Sequence, residues 1–402
     1  MELCTFGFNG HAQLELPFQN EDSKYTPKPD FSGRFNDLQI LWASWCDATS
    51  NLPQPSLLCH SPSKFLVVVW QDLIKHPCKI HYTGSGLTTT QTAYFKKLEN
   101  QHEKYSQFQF FGAPLSVGLN GILDTSQSTI TIFKPDSDIF TTYRPPDNIR
   151  IHHIALTSGG TVALVAAHPR YSGTSIASFS SITALQSWLV QNSSAPSPSV
   201  LQTFPAMTFK QLVSNATTTT GLTTTGQVYT WTHDSRYPKL LGRPVDPDTP
   251  ASIPHRIEYF SETIITDIAS GGYLTAAISS DGELYLWGQS CPGTVGSLAI
   301  FQKSVDDDAD EFVKCVELSI GGREAQITRV AVGSGHVIVA AETKKGERAV
   351  FAAGQGGCGQ LGLSGTPEFL EEFTELKGLR KRKVVEIRAS GWSTWVVVKC
   401  EK

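Results

Sequence analysis

Charged side chains are scarce in this sequence, and neither sign dominates. Only 17% of the 402 residues are charged, and 33 basic against 37 acidic residues give a formal net charge of −4. Non-specific binding to DNA or RNA needs a basic excess that neutralises phosphates, so direct nucleic-acid binding is not expected. Because 40% of the residues are apolar, the chain can bury large cores and has the composition of a folded protein.

Metal-binding motifs are also lacking. The eight cysteines include no C-x-x-C pair. One loose group has the right ligand types but matches no common zinc module in its spacing; its members are Cys59, His60, His76, Cys78 and His81. Scattered, unliganded side chains are the favoured interpretation, so we expect no bound metal and no cofactor.

The sequence has no long hydrophobic run and no leader-like start. The longest apolar runs, such as residues 65–70, are far shorter than the ~20 residues that span a bilayer. Residues 1–7 lack the basic region and apolar core of a secretory signal. We therefore expect no membrane association and a reducing compartment, cytoplasmic and nuclear.

Glycine-marked hairpins repeat along the chain. Residues 268–288 predict two short strands joined by Asp281-Gly282. A shift of 56 residues places Gly226 on Gly282 and Trp231 on Trp287. Further copies are found in both directions, two of them weak, and their landmarks lie at positions 45, 112, 159, 215, 271, 333 and 391.

Seven landmarks in 402 residues give a unit of about 57 residues. A small sheet of this length cannot bury both faces alone, so neighbouring units must cover them, as in a propeller. The fold prediction is therefore all-β: one seven-bladed β-propeller domain over residues 1–402.

The chain ends are expected to complete one blade together. Residues 1–16 resemble the second half of a unit, whereas residues 384–398 form a first half with no second half after it. Sharing the terminal blade would leave no open strand edge at the junction. Residues 56–147 fit the repeat worst and are interpreted as divergent blades with insertions, and helices are predicted over 92–105 and 182–190.

Two motifs have a functional and a structural interpretation. Gly354-x-Gly356-x-x-Gly359 satisfies a dinucleotide-binding pattern, but Gly362, Gly365 and Pro367 follow where that pattern needs a helix, so a repeat turn is favoured. The basic run at residues 380–383 is typical of a solvated loop, with a nuclear-import signal or a phosphate contact as alternatives. No catalytic motif is present, and the chain is not expected to be an enzyme.

Residues at the landmarks should converge on one end of a ring of equivalent blades. The candidate partner-binding residues are Trp45, Cys46, Gly160, Tyr273, His336, Trp392 and Ser393. Three of them are large aromatics of the kind that anchor protein interfaces. The alternative, that these aromatic side chains pack between blades, is left open.

The repeats resemble those of the regulator-of-chromosome-condensation family. The resemblance is carried by residues 281–288, by Gly359-Gln360-Leu361-Gly362 and by Gly333-Ser334-Gly335-His336, which matches the family's Gly-x-x-His element. It covers residues 150–402 and 1–16 best. Most copies lack the histidine, and Thr232 follows Trp231 where the family usually has glycine. The resemblance implies a seven-bladed propeller with a shared terminal blade.

Within the family, the chain is similar to the small fungal members that are nearly all propeller, on the basis of residues 6–10, 332–336 and 391–397. This similarity implies a non-catalytic protein that binds a small, zinc-ribbon-like, iron-carrying partner. Through that partner, and with Elongator as a further partner, it would support modification of transfer RNA wobble uridines and diphthamide synthesis. A monomer or a heterodimer is expected.

Other functions remain open at this stage. The family's founding activity is guanine-nucleotide exchange on a Ran-type GTPase. Exchange factors of that kind dock on chromatin through basic segments, whereas this chain is net acidic and has no basic tail. An adaptor linked to chromatin or microtubules is a third possibility. An animal member that partners a JmjC-type dioxygenase has similar chain ends.

Overall fold

The computed structural model describes residues 1–8, 25–34, 39–42, 68–73, 76–81, 89–100, 107–112, 119–133, 139–167, 173–190, 200–294, 296–302, 312–365 and 367–399. Short strands dominate these segments, and the all-β prediction is confirmed.

The strands are numbered in chain order. They are β1 Glu2–Phe8, β2 Tyr25–Arg34, β3 Gln39–Trp42, β4 Val68–Leu73, β5 His76–His81, β6 Phe108–Phe111, β7 Gly121–Asp124, β8 Thr129–Phe133, β9 Phe140–Tyr143, β10 Arg150–Leu156, β11 Val162–Ala167, β12 Thr174–Phe179, β13 Val200–Phe204, β14 Phe209–Ser214, β15 Thr218–Thr223, β16 Val228–Thr232, β17 His255–Arg256, β18 Ile265–Gly271, β19 Leu274–Ser279, β20 Leu284–Gly288, β21 Val313–Val316, β22 Ser319–Ile320, β23 Arg323–Glu324, β24 Gln326–Val332, β25 His336–Glu342, β26 Arg348–Gln355, β27 Phe369–Glu375, β28 Val384–Ser390 and β29 Ser393–Val398.

These strands form antiparallel sheets, which we name in chain order. They are sheet I (β3-β4-β5), sheet II (β6 to β9), sheet III (β10 to β13), sheet IV (β14 to β17), sheet V (β18 to β21), sheet VI (β24 to β27) and the closing sheet (β28-β29-β1-β2), with a two-stranded ribbon β22-β23 between V and VI. Within each of sheets I to VI, consecutive strands are neighbours, so every sheet is a simple meander of local hairpins.

The sheets follow one another around a ring. The first strand of each sheet is its inner strand, and each inner strand contacts the next one. The contacting pairs are β3 with β6, β6 with β10, β10 with β14, β14 with β18, β18 with β24, β24 with β28 and β28 with β3. Because the last contact returns to the first strand, the series is closed.

Both ends of the described chain contribute to the closing sheet. Strand β1 pairs with β29 in antiparallel register, with Cys4 opposite Val396 and Glu2 opposite Val398. The carboxyl-terminal segment therefore supplies the two inner strands and the amino-terminal segment the two outer ones. This pairing gives the outer edge of β29 a partner, so the strand is not left open for association.

Cores lie between neighbouring sheets, and sheet V shows how a sheet buries both of its faces. Every residue of β19 is buried. Ala276 and Ile278 face sheet VI, whereas Ala277 faces sheet IV. This alternation follows from the two-residue period of a strand. Large rings fill the same spaces: Trp231, Trp287 and Trp395 are at most 1% exposed.

Two helices lie outside the repeat. Helix α1 is Thr89–Asn100 and helix α2 is Ile182–Leu189. The second agrees with the predicted range. The first also includes residues 89–91, and residues 101–105 of the predicted range lie outside the described part of the chain. Ser181 caps α2 by accepting a hydrogen bond from the Ala184 amide at 3.1 Å. Leu185 and Leu189 join the core between sheets II and III, so α2 covers an existing sheet.

The divergent segment, residues 56–147, corresponds to parts of sheets I and II with α1 between them. Sheet I has three strands among the described residues, and sheet II has four. Aromatic side chains of α1 pack on sheet II: the Tyr94 ring lies 5.6 Å from that of Phe133 and 5.2 Å from that of Phe140, centroid to centroid. The insertion is therefore attached to the ring by aromatic contacts.

Candidate functional site

A one-residue bulge recurs in the inner strands. In β10, β14, β18, β24 and β28, the register with the second strand shifts near the strand's start. The extra residues are His152, Lys210, Thr266, Thr328 and Val385. A bulge bends its strand and increases the local twist, which suits a sheet whose inner edge must follow a ring.

At four of the five bulges, the residue that follows connects its sheet to the next, whereas Asp267 of β18 accepts a hydrogen bond from the Ile268 amide of its own strand. The Gln211 side chain in sheet IV donates to the Ile268 carbonyl at 2.7 Å and accepts from the Ile268 amide at 3.3 Å. Gln109 of sheet II makes the same pair of bonds with Ile154, both at 3.2 Å. A side-chain amide offers one donor and one acceptor like a peptide group, so it satisfies the otherwise open edge of the next strand.

Other side chains serve the same purpose at other junctions. His153 Nε2 lies 3.1 Å from the carbonyl oxygen of Phe209, and burial lowers the pKa of His153. Arg329 Nε donates to the Val385 carbonyl at 2.9 Å. The inner strands thus surround a cavity of about 620 Å³ whose described lining includes Gln109, Gln211, His152 and Arg388.

One end of the ring carries the turns between inner and second strands. Backbone hydrogen bonds join the turns of neighbouring sheets. These bonds run from the amides of Ser158, Gly159, Ala216 and Ser334 to the carbonyls of Asn215 at 3.3 Å, Ala216 at 3.1 Å, Gly272 at 2.9 Å and Gly391 at 2.8 Å, respectively. We call this end the turn face.

The turns of sheets V and VI approach too closely for a side chain. A Cβ atom on Gly271 would lie 2.3 Å from the Val332 carbonyl oxygen, and one on Gly272 would lie 3.1 Å from the Gly335 amide nitrogen. From sheet III to the closing sheet, the turn face is therefore a continuous belt of backbone. Its shape is fixed by the sheets beneath it.

Three of the predicted partner-binding residues lie on the belt with partial exposure. Gly160 has φ of +89° with open space where a Cβ would lie. Tyr273 and Trp392 directly precede the second strands of their sheets, and both are half-buried. The structure thus places these three residues on one face, and their role in binding stays a prediction.

His336 and Ser393 belong to the same turns but point inward, and they are 0% and 1% exposed. His336 Nε2 lies 3.1 Å from Thr394 Oγ1, whose hydroxyl donates to the Gln360 carbonyl at 3.0 Å. Burial lowers the pKa of His336 to about 4, so the ring is neutral at pH 7. These two side chains can support the turn face only from within. Trp45 and Cys46 lie outside the described residues.

An aromatic pair on the turn face was not predicted as a pair. The Tyr237 ring meets the Tyr273 ring edge to face, with centroids 5.0 Å apart. Arg236 Cζ lies 5.5 Å from the Tyr237 centroid, and its guanidinium donates to both oxygens of Asp234 at 2.8 and 2.6 Å. Burial is the main cause that raises the pKa of Tyr273 to about 12, so its hydroxyl stays protonated at pH 7.

The loop that carries Tyr237 is held by a buried arginine. Arg243 is 4% exposed and donates to the carbonyls of five residues at 2.9 to 3.3 Å; they are Pro244, Thr249, Thr230, Pro250 and Ile253. Burial lowers the pKa of Arg243 to about 10. The loop between β16 and β17 is therefore fixed in place, although nothing in the repeat pattern marks Tyr237 or Arg243.

The glycine motif at residues 354–359 is a turn, as predicted. Gly354 and Gly359 have positive φ values of +97° and +79°. The Gly359 amide donates to the Gly356 carbonyl at 2.8 Å, and the Gly362 amide to the Gly359 carbonyl at 2.9 Å. Successive turns replace the helix that a dinucleotide site needs.

The basic run is folded against the ring. Arg380 donates to both oxygens of Glu375 at 2.6 and 2.7 Å, and Arg382 forms an ion pair with Glu2. Lys381 has a left-handed backbone with φ of +66°. Two of the four cations are thus engaged within the molecule, which agrees with the loop interpretation.

The described residues contain neither a cluster of metal ligands nor a membrane-spanning helix. Among the described residues, no group of three or more His, Cys, Asp or Glu side chains could hold a metal ion. The predicted cysteine and histidine group lies where the structure describes no side chains. In the same part of the chain, every helix is too short or too polar to cross a bilayer.

Comparison with known proteins identifies relatives for part of the chain. No family model matches. The mitochondrial RCC1 domain-containing protein RUG3 of Arabidopsis thaliana is 26% identical over 186 residues, which are 46% of this chain and 38% of that protein. The ubiquitin ligase HERC2 of Mus musculus is 32% identical over 171 residues, 40% of this chain and 3% of HERC2. The chain therefore spans well under half the length of these relatives.

A solved structure covers the whole chain. Prp20p of Saccharomyces cerevisiae matches with a TM-score of 0.60 and 12% identity over 100% of this chain and 92% of that one. This likeness and the ring of sheets define a β-propeller. One of the relatives matched by sequence, RUG3, is an RCC1 domain-containing protein, and this similarity supports the regulator-of-chromosome-condensation, or RCC1, repeat family for this chain.

Proposed function

We propose that this chain is a non-catalytic propeller that binds another protein on its turn face, and that its seven sheets are the seven blades of one ring. The observation that carries this proposal is the belt of five turns joined through the backbone. It holds Tyr237, Tyr273 and Trp392 at one surface. Half-buried aromatics on a rigid support make good interface anchors, because they lose little conformational entropy on binding.

The belt suits docking because it does not need to reorganise. Backbone hydrogen bonds join its turns at three of the four junctions, the turns of sheets V and VI are in close backbone contact, and the loop that carries Tyr237 is fixed by Arg243. A rigid scaffold that presents loop residues is a common arrangement for binding sites. A pre-organised surface also avoids the ordering cost that would weaken affinity.

The finer proposal concerns the partner. Resemblance to the fungal alpha-tubulin suppressor, also called the killer-toxin-insensitivity protein, supports a small metal-carrying protein as the occupant, with Elongator as a further partner. The chain would then support transfer RNA wobble-uridine modification and diphthamide synthesis, as a monomer or a heterodimer in the cytoplasm and nucleus. The identity of the partner is supported by the sequence resemblance, whereas the location of its binding site on the turn face is supported by the geometry.

Affinity purification followed by mass spectrometry tests both parts. We expect the tagged wild-type chain to retain the small metalloprotein and Elongator subunits, and the double variant Tyr237→Ala/Tyr273→Ala to lose them. Tyr259→Ala is the matched control, because Tyr259 is 45% exposed and lies outside the turn face. Absence of these proteins from the wild-type sample would contradict the partner, and unchanged capture by the double variant would contradict the face.

Nucleotide exchange on a Ran-type GTPase is the second candidate. The fold likeness to Prp20p, a protein with binding properties towards Gsp1p and histones, is the observation that favours it. A nucleotide-release assay with purified GTPase separates the two functions. We expect no acceleration, and acceleration by orders of magnitude would replace the first proposal.

A further inference from the structure

The end of the ring opposite the turn face has a basic cleft between sheet VI and the closing sheet. The cleft has a volume of about 240 Å³. Four cationic side chains line it: Arg329, Arg348, Arg382 and Lys383. Glu342 is the single acidic residue of this lining.

Backbone hydrogen bonds fix the basic segment in this position. The Lys381 amide donates to the Arg348 carbonyl, and the Lys399 amide donates to the Lys383 carbonyl, both at 2.9 Å. The Arg329 side chain joins the two walls through its bond to the Val385 carbonyl. The cations are therefore held by folded structure on both sides of the cleft.

Only part of this positive charge is neutralised. Arg348 pairs with Glu342 at 3.0 Å, and Arg382 pairs with Glu2. Two cations of the lining, Arg329 and Lys383, form no salt bridge with a described acidic residue. The same holds for four lysines that are close to lining residues in sequence or bonded to them through the backbone: Lys344, Lys345, Lys381 and Lys399. All six are exposed. A protein with a formal net charge of −4 thus concentrates positive charge at one place.

We propose that this basic cleft binds an acidic peptide segment of a partner protein. The guanidinium forks of Arg329 and Arg348 are already engaged within the molecule. The exposed ammonium group of Lys383 and the lysines near it are therefore the groups that attract acidic side chains. The cleft has a volume of about 240 Å³ and lies between two sheets, which suits a short segment of one chain. Its contribution is mainly to the association rate, because exposed charges steer an oppositely charged partner.

A peptide fits the cleft better than a nucleic acid does. No aromatic residue lines the cleft among the described residues, so bases would have no ring on which to stack. Specific nucleic-acid interfaces also bury ~1,000 Å² or more of protein surface. The cationic groups here surround a single cleft, and the chain has no overall basic excess.

Fluorescence anisotropy with a labelled ten-residue poly-glutamate peptide tests the proposal on the full chain. We expect the wild-type protein to bind, with an affinity that falls as salt rises. The double variant Arg329→Gln/Lys383→Gln should weaken binding at least tenfold. The control Lys97→Gln/Lys239→Gln removes the same formal charge elsewhere and should change affinity less than twofold, and thermal melting should show that both variants are folded.

Several results would overturn this proposal. They are no binding of the peptide to the wild-type protein, equal weakening by both double variants, or tighter binding of a ten-nucleotide single strand than of the peptide. If Arg329→Gln/Lys383→Gln fails to fold, the single variant Lys345→Glu on the exposed hairpin tip replaces it and should weaken binding at least threefold. The turn-face variant Tyr237→Ala/Tyr273→Ala should bind the peptide like the wild type, which separates this site from the proposed function.

Discussion

Sheets III to VI and the closing sheet share one sequence pattern, whereas sheet II reaches the same geometry with a different sequence. In the regular part, a bulge and a following polar residue recur in every inner strand. In the divergent part, Gln109 of β6 still bonds to Ile154 as Gln211 bonds to Ile268. The comparison shows that backbone groups at the inner edges of the sheets need hydrogen-bond partners, and that the sequence of the rest of a sheet can vary widely.

The closing sheet, where the two parts of the chain meet, gives the largest expected effect. Phe6 is fully buried in the core between sheet VI and the closing sheet. Replacing it with alanine should lower the free energy of unfolding by about 3–5 kcal/mol, because it leaves a cavity. Urea denaturation checks this value, and Val245→Ala, at a site that is 45% exposed, should cost no more than about 0.5 kcal/mol. Equal costs for the two variants would mean that the amino-terminal strand is not part of the folded ring.

Two glycines in the regular part of the ring differ in the space that is available to a Cβ atom. Gly271→Ala would place a Cβ 2.3 Å from the Val332 carbonyl oxygen, whereas Gly357→Ala meets nothing within 4 Å. We expect the first substitution to destabilise the protein by about 1–3 kcal/mol, as overpacking does. Thermal melting of the two variants measures the difference, and similar melting temperatures would show that the turns of sheets V and VI do not touch.

Sheet VI differs from its neighbours by its buried histidine, which predicts a pH dependence. The pKa of His336 falls from 6.5 to about 4 on folding, so the unfolded chain binds the proton more readily. Stability from this group is therefore present above pH 6.5 and is lost as the pH falls towards 4. Between pH 7 and pH 5 we expect a loss of about 2 kcal/mol that is missing from His336→Gln. Parallel pH profiles of the two proteins would rule out a buried, neutral ring.

The smallest expected effect compares the two parts directly. Gln109→Ala and Gln211→Ala each remove two hydrogen bonds to a neighbouring inner strand. Each should cost about 1–2 kcal/mol in urea denaturation, and the two costs should agree within error. A cost for Gln211 alone would show that the divergent sheet is not held as the regular ones are.

Sequence periodicity was sufficient to predict the repeating sheets, because turn glycines and alternating apolar residues are local signals. The candidate site could be predicted only in part. Tyr273 was found because it lies two residues after the repeat landmark at position 271, but its partner Tyr237 comes from a loop whose path depends on Arg243. The burial of His336 could not be predicted from its position. The residue directly before the second strand is the half-buried Tyr273 in sheet V and Trp392 in the closing sheet. In sheet VI this residue is Gly335, and His336 is already the first residue of the strand.

The ion pairs could not be predicted from the sequence either. The basic run at residues 380–383 is contiguous in the chain, but its opposing wall, with Arg329 and Arg348, comes from strands that are distant in sequence. Glu2, which pairs with Arg382, lies at the other end of the chain. Only the closed ring brings these groups together.

Hydrogen exchange followed by mass spectrometry tests the closed ring most directly. The account predicts that amides of β1 are protected to the same extent as those of β29, because the two strands share the closing sheet. Exchange of residues 2–8 at the rate of an unstructured peptide, with β29 still protected, would contradict it.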